Sequence, residues 1–132
     1  SGTNFAVIED RRNRAMTAEH GYLYDWGQTT AESLLEAQLV ADAPTILATG
    51  GIQDPLDVLK APILGAKAVG VAGHFLHTDL NEGTEGVSTE IHRWQNHLAK
   101  LYTMVGAERQ ADLQHVQTVL SPELKNYIDQ RR

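Results

Sequence analysis

Two short apolar runs, each followed directly by glycine, constrain the fold of this chain more than any other feature. The first continues into residues 48–54 (Ala-Thr-Gly-Gly-Ile-Gln-Asp), and the second is residues 69–73 (Val-Gly-Val-Ala-Gly). Residues 55–64, between them, have helical periodicity. This order predicts a strand, a helix and a second strand, with a glycine turn after each strand. Glycine lets backbone amides approach an anion closely, so we expect a phosphate site on an α/β scaffold.

The predicted strands are too few for a complete fold. Residues 45–48 and 68–72 are apolar throughout, which is typical of a parallel sheet covered on both faces. A sheet of two parallel strands leaves both edges open and cannot enclose a core. A complete (β/α)8 barrel typically needs about 250 residues, and this chain has 132. We therefore interpret residues 1–132 as part of a larger sheet, about half a domain.

Capping signals predict where helices begin. Thr29 and Glu32 form a capping box ahead of a helix over residues 29–40. Asp54 is placed to cap the helix between the two strands. Pro62 has no amide hydrogen, so we expect a kink or a loosened last turn there.

The C-terminal part, residues 78–132, is predicted to be mainly helical. Residues 79–86 are polar and acidic with two glycines, which favours a loop. Apolar residues then recur at steps of three and four over residues 87–105, which predicts an amphipathic helix of about five turns. Shorter helices are expected over residues 108–114 and from Ser121 onward.

Composition narrows the function classes. The net charge is −6, and the 11 basic residues are scattered apart from Arg11, Arg12 and Arg14, which argues against nucleic-acid binding. The absence of cysteine excludes disulfides, thiolate metal sites and a cysteine nucleophile. No apolar run approaches the roughly 20 residues of a membrane span and no signal peptide is recognisable, so we expect a cytoplasmic protein. A start on Ser1 rather than methionine suggests a processed or truncated product.

An ordered series of motifs resembles the C-terminal half of the type 2 isopentenyl diphosphate isomerases, which depend on FMN. The match is strong over residues 2–76 and weaker beyond. The motifs occur in this order: Gly2-Thr3-Asn4-Phe5, Ile8-Glu9, Arg11-Arg12, Trp26-Gly27, Thr30-Ala31, Ser33-Leu34-Leu35-Glu36, Gly50-Gly51-Ile52, Asp57-Val58, Lys60-Ala61, Leu64-Gly65-Ala66 and Ala72-Gly73.

The resemblance implies the C-terminal half of a (β/α)8 TIM barrel, from the end of strand six through strand eight, with a helical C-terminal extension. It implies an isomerase that interconverts isopentenyl and dimethylallyl diphosphate, using reduced FMN, NADPH and Mg²⁺. The flavin supplies the chemistry in such an enzyme, and the protein orients and shields it. No catalytic residue and no metal ligand is expected within this chain, because the family's magnesium and substrate residues belong to the N-terminal half.

The family's cofactor residues carry over to seven positions, expected to hold the FMN phosphate region: Thr3, Gly50, Gly51, Ile52, Gln53, Ala72 and Gly73. Phe5 occupies the position of an aromatic residue near the flavin and substrate. His74 could reach a phosphate, but a solvated loop histidine is the favoured interpretation. Trp26 and Trp94 are expected to pack.

Several interpretations stay open at this stage. Residues 1–27 have no clear period, and apart from a helix in part of 6–18 they are predicted as a long loop over the site. Arg11, Arg12 and Arg14 either guard a diphosphate entrance or form a solvated face. Two alternatives remain for the function of the protein. One is another FMN-dependent barrel, of the 2-hydroxy-acid oxidase or inosinate dehydrogenase type. The other is an inactive fragment that only assembles or binds phosphate. We expect association with a second copy, with the N-terminal half, or with both.

Overall fold

Helices and short strands alternate along the part of the chain that the structure describes. This computed structural model describes residues 2–13, 18–42 and 44–132. Two 3₁₀ turns, Gly21–Leu23 and Gln110–His115, join the larger elements. In chain order the larger elements are α1 (Phe5–Arg12), α2 (Thr30–Ala37), β1 (Leu47–Thr49), α3 (Pro55–Ile63), β2 (Ala68–Gly70), α4 (Gly73–Met104) and α5 (Pro122–Arg131).

The two strands pair in parallel, as their apolar sequences predicted. Ala48 lies opposite Val69, and α3 makes the crossover between the strands. Each strand is shorter than expected, because pairing covers only 47–49 and 68–70. Ala48 is buried whereas its neighbour Leu47 is 69 % exposed, so the described residues of this chain cover only one face of β1.

The predicted caps are confirmed. The Glu32 amide donates to the Thr29 hydroxyl at 3.2 Å, and the Thr29 amide donates to the Glu32 carboxylate at 2.6 Å. Asp54 caps α3 by accepting from the Asp57 amide at 2.9 Å. The last turn of α3 is not loosened by its proline, because the helix continues to Ile63 and the amides that follow it remain hydrogen-bonded.

The loop predicted over residues 79–86 is wrong, because these residues belong to α4. Only Gly83 departs from helical geometry, at φ 69° and ψ −174°. It divides α4 into a first arm, residues 73–82, and a second arm, residues 84–104. In a straight helix, residues 74 and 90 would lie about 24 Å apart. Their side chains instead meet at 2.7 Å, so the second arm folds back on the first.

Two apolar clusters form the core. The first packs α2, β1 and α3 together and is centred on the buried Leu34, Ala48, Ala61 and Ala66. The second joins α3 to the second arm and the following 3₁₀ turn, and it is centred on the buried Leu59, Ala107 and Leu113. The apolar stripe predicted over residues 87–105 supplies Leu98, Leu101 and Val105 to this second cluster.

The region predicted mainly as a loop is partly ordered by a buried carboxylate. Asp10, in α1, accepts from the His20 amide at 3.0 Å and from the Tyr24 hydroxyl at 2.6 Å. Asn4 caps α1 and donates to the Tyr24 carbonyl. These bonds fasten α1 to the 3₁₀ turn that follows it. No described helix is long and apolar enough to cross a membrane.

Candidate functional site

A cleft of about 710 Å³ opens where β1 and β2 end. Because parallel strands end at one edge of a sheet, the turns that follow them face each other across this cleft. All seven residues predicted to bind the cofactor line it: Thr3, Gly50, Gly51, Ile52, Gln53, Ala72 and Gly73. The remaining lining residues are Gly2, Thr49, Gly70, His74 and His77.

The Gly50–Gly51 turn exposes backbone on the β1 side of the cleft. Gly50 has φ 100° and Gly51 has φ 69°, a backbone region that residues other than glycine rarely adopt. The Thr30 hydroxyl donates to the Gly50 carbonyl at 2.7 Å and thereby fixes the turn. Sequence reasoning missed this role for Thr30, which stands beside the predicted cap Thr29 but bonds to a turn 20 residues away.

The N-terminus of α3 is already occupied by the chain's own carboxylates. Asp54 accepts from the Asp57 amide at 2.9 Å, and Asp57 accepts from the Gln53 amide at 3.1 Å. Pro55, at the first position, has no amide hydrogen. Gln53 therefore faces the cleft without a free amide, and only its side chain is available to a ligand.

The N-terminus of α4 has no such protection. Its cap residue, Ala72, makes no side-chain hydrogen bond, and the first turn contains no acidic residue. The Leu76 amide is the first to bond back into the helix, to the Ala72 carbonyl at 2.9 Å. The amides of Gly73, His74 and Phe75 precede that bond, and the positive end of the helix dipole lies there. This is the geometry that binds anions in proteins.

The chemistry of the lining suits a phosphate group. None of the twelve lining residues is acidic, although the chain as a whole carries a net charge of −6. The donors are backbone amides, the hydroxyls of Thr3 and Thr49, the side-chain amide of Gln53 and two histidines. Within the described ranges no group of three histidine or carboxylate side chains could hold a metal ion.

His74 is neither in a loop nor free in solvent, so the favoured sequence interpretation of this residue is wrong. Its Nε2 lies 2.7 Å from Oε1 of Glu90, on the second arm of α4. Its ring lies 4.8 Å from that of Trp94, measured between centroids, and 5.5 Å from that of Phe75. Trp94 is 4 % exposed, which confirms that it packs.

Glu90 is held as a carboxylate by the groups around it. Arg93 donates two hydrogen bonds to it, at 2.7 and 2.6 Å, and the Trp94 indole donates a third at 2.8 Å. These bonds from Arg93, with those from His74 and Trp94, lower the pKa of Glu90 to about 2. Sequence reasoning missed Glu90, because its partner is 16 residues away and only the reversal at Gly83 brings the two together.

A second cleft, of about 570 Å³, adjoins the first and shares Gly2 and Thr3 with it. Phe5 lines this cleft and is 78 % exposed, so it does not pack against the chain as an apolar core residue would. Trp26 also lines it and is 84 % exposed, contrary to the expectation that it packs. Two open aromatic rings therefore stand beside the candidate phosphate cleft.

The basic run is only partly described. Arg11 and Arg12 are exposed in the last turn of α1, and Arg14 lies outside the described residues. Neither Arg11 nor Arg12 lines either of the two clefts described here.

Comparison with known proteins identifies relatives over the whole chain. The family described as FMN-dependent dehydrogenase matches residues 19–119. Isopentenyl-diphosphate delta-isomerase of Limosilactobacillus reuteri subsp. reuteri (strain JCM 1112) is 48 % identical over 131 residues, which are 98 % of this chain and 37 % of that protein. The proteins of the same name from Latilactobacillus sakei subsp. sakei (strain 23K) and Streptomyces sp. (strain CL190) are 42 % and 40 % identical, over 98 % and 99 % of this chain. The chain thus spans a little over a third of the length of these relatives.

Proposed function

The chain belongs to the FMN-dependent dehydrogenase family, and from that membership we propose that it is part of an FMN-dependent isomerase. The whole protein interconverts isopentenyl diphosphate and dimethylallyl diphosphate in isoprenoid biosynthesis. Relatives that carry this name are 40–48 % identical to the chain over the matched residues.

The cleft at the ends of β1 and β2 carries the proposal. Seven residues named from the sequence for one ligand group line one cleft, and none of its described lining residues is acidic. An anionic group of the cofactor fits such a set of donors. In this proposal the cleft holds the FMN phosphate, and the adjoining cleft with Phe5 lies towards the flavin ring and the substrate.

We propose that residues 1–132 form the C-terminal half of a (β/α)8 barrel, from the end of strand six to strand eight. Residues 78–132 form its helical C-terminal part. The parallel pair β1–β2, with one strand face left uncovered, supports this proposal. The N-terminal half of the barrel, a second copy of the chain, or both would complete the sheet. NADPH, Mg²⁺, the diphosphate substrate and a cytoplasmic location belong to the same proposal.

The residues of this chain hold and orient the cofactor rather than perform the proton transfer. FMN, when bound, supplies the chemistry of the isomerisation. The Gly51 amide and the first turn of α4 bind the phosphate, and Thr30 keeps the glycine turn in place. Phe5 offers an apolar surface that excludes water from one side of the reaction.

Turnover by the full-length protein tests this function. With FMN, NADPH and Mg²⁺ we expect conversion of isopentenyl diphosphate to dimethylallyl diphosphate. The conversion is measured by separating the two diphosphates and quantifying each. We expect none from the 132-residue chain alone. The family description, FMN-dependent dehydrogenase, favours a second candidate, an FMN-dependent oxidation, which the same preparation tests by flavin reduction with a 2-hydroxy acid. Oxidation without isomerisation would replace our proposal, and FMN binding without either activity would leave a cofactor-binding module.

A further inference from the structure

We propose that His74, held in place by Glu90, is the side chain that binds the phosphate group of the flavin in the cleft between the two glycine turns. This inference rests on the proposed function, since it assigns a further residue to the same cofactor site. His74 is the binding residue, and Glu90 is a positioning residue that acts through it.

The charge balance of the cleft is the first reason. A flavin phosphate brings nearly two negative charges at neutral pH, and hydrogen bonds to charged groups are the stronger ones. Among the twelve described lining residues, only His74 and His77 have side chains that can become positively charged. None of these described lining residues is lysine or arginine, so within the described part of the chain a side-chain cation in the cleft comes from one of these two histidines.

The fixed orientation of the His74 ring is the second reason. Glu90 is ionised, and a carboxylate only accepts hydrogen bonds, so Nε2 of His74 carries a hydrogen and donates it to Oε1. The second ring nitrogen, Nδ1, is therefore the atom left for a ligand. The tilted contact with the Trp94 ring, together with the edge contact to Phe75, restricts rotation of the His74 ring.

The contacts of the His74 ring place it between a carboxylate and the cleft. Glu90 is the carboxylate in contact with the ring, and a phosphate in the cleft would lie on the other side of it. Arg93 is the one cation of this cluster, and both of its described hydrogen bonds go to Glu90 rather than to the cleft. A histidine between two anions resembles the supported ligands of metal and phosphate sites, where an acidic partner fixes the ring.

His77 does not have this support. It lies one turn along the first arm, is exposed, and its ring nitrogens lie 3.2 and 3.3 Å from the Asn81 amide nitrogen of the same arm. No contact from the second arm fixes it among the described interactions. We therefore assign the phosphate contact to His74.

Flavin affinities test the assignment directly, because riboflavin is FMN without its phosphate. The full-length protein is titrated with FMN and, separately, with riboflavin, and binding is followed by quenching of flavin fluorescence. His74→Gln should weaken FMN binding about tenfold, as expected for loss of one hydrogen bond to a charged group, and leave riboflavin binding unchanged. His77→Gln should cost less, and His97→Gln, on the exposed side of the second arm, is the matched control.

Glu90 is tested by a double-mutant cycle. Glu90→Gln should also weaken FMN binding selectively, and the double variant with His74→Gln should bind FMN no more weakly than His74→Gln alone. Equal losses for FMN and riboflavin would mean that the pair only stabilises the fold, and unchanged FMN affinity in both single variants would remove His74 from the site. If His74→Gln does not fold, the FMN and riboflavin affinities of Glu90→Gln alone provide the same comparison. A parent protein that binds no FMN would instead reject the proposed function.

Discussion

The two helices that follow the strands begin in opposite ways, although a glycine-rich turn precedes each. At α3, Asp54 and Asp57 accept hydrogen bonds from the amides of Asp57 and Gln53. At α4, the cap residue is Ala72, which has no side chain that could accept a hydrogen bond, and no carboxylate lies in the first turn. One helix end is closed by its own sequence, and the other is left open to an external anion.

This difference shows that a glycine turn and a helix N-terminus are separate contributions to an anion site. On the β1 side the chain offers the Gly50–Gly51 backbone but not the helix behind it. On the β2 side it offers the helix itself. A phosphate in the cleft would thus be bound by one turn and one helix, rather than by two equivalent turns.

Gly51→Val should have the largest effect on cofactor binding. At φ 69°, a β-branched residue is strained, and its side chain would also fill space beside the ligand. The strain, roughly 1–3 kcal/mol, lowers stability, and the steric block should weaken FMN binding on the order of 100-fold. Gly106→Val is the matched control, because Gly106 has φ 72° and lies outside the cleft. Both variants should lose stability, but only the first should lose FMN affinity; equal FMN affinities in the two would contradict the assignment.

Ala72→Asp should make the start of α4 resemble that of α3. A carboxylate at this position would lie beside the bound phosphate and compete for the same amides. We expect FMN affinity to fall about tenfold, while the stability of the ligand-free protein changes by no more than about 1 kcal/mol. Ala72→Asn, which has nearly the same shape without the charge, should cost much less. Isothermal calorimetry measures the FMN affinity of both variants. Equal losses of affinity in Ala72→Asp and Ala72→Asn would show that charge is not the cause.

Asp54→Ala reverses the comparison at α3. Losing the cap should lower the free energy of unfolding by about 1 kcal/mol, because the Asp57 amide loses its acceptor. FMN affinity should stay nearly unchanged, since the phosphate does not contact the α3 amides in this account. Asp54→Asn keeps a capping oxygen and should retain most of the stability. A large loss of FMN affinity in Asp54→Ala would show that the α3 end belongs to the site after all.

The support of α4 by Glu90 should appear in the pH dependence of stability. The pKa of Glu90 falls from 4.5 to about 2 on folding, so the folded state favours the ionised form. The stabilisation is therefore complete above pH 4.5 and is lost as the pH falls towards 2. Denaturant unfolding midpoints measured across this range should drop less steeply in Glu90→Gln than in the parent protein. Parallel curves would mean that the hydrogen bonds to Glu90 contribute nothing to stability.

Local signals in the sequence predicted the starts of α2, α3 and α5 well, but not that of α4. The capping box at Thr29 and the cap at Asp54 depend on residues three positions apart, so the sequence contains all the information needed. The parallel pair of strands and the glycine turns that line the cleft could also be predicted from the sequence, because each strand runs directly into its glycine turn.

Contacts between distant residues explain the failures. The acidic residues and glycines of 79–86 favour a loop, yet one glycine at positive φ suffices to reverse the helix and the rest stay helical. That reversal places Glu90 and Trp94 against His74, which no spacing along the sequence predicts. The exposed Trp26 shows the converse, because its apolar character predicts burial whereas the described part of this chain supplies no residues that cover it.

A crystal structure of the full-length protein with FMN tests the central claim most directly. The measured quantities are the distances from the phosphate oxygens to the backbone nitrogens that surround the cleft. We predict hydrogen-bond distances to the amides of Gly51 and of the first turn of α4, with the α3 amides still bonded to Asp54 and Asp57. A phosphate bound at the start of α3, or outside the cleft, would contradict the account.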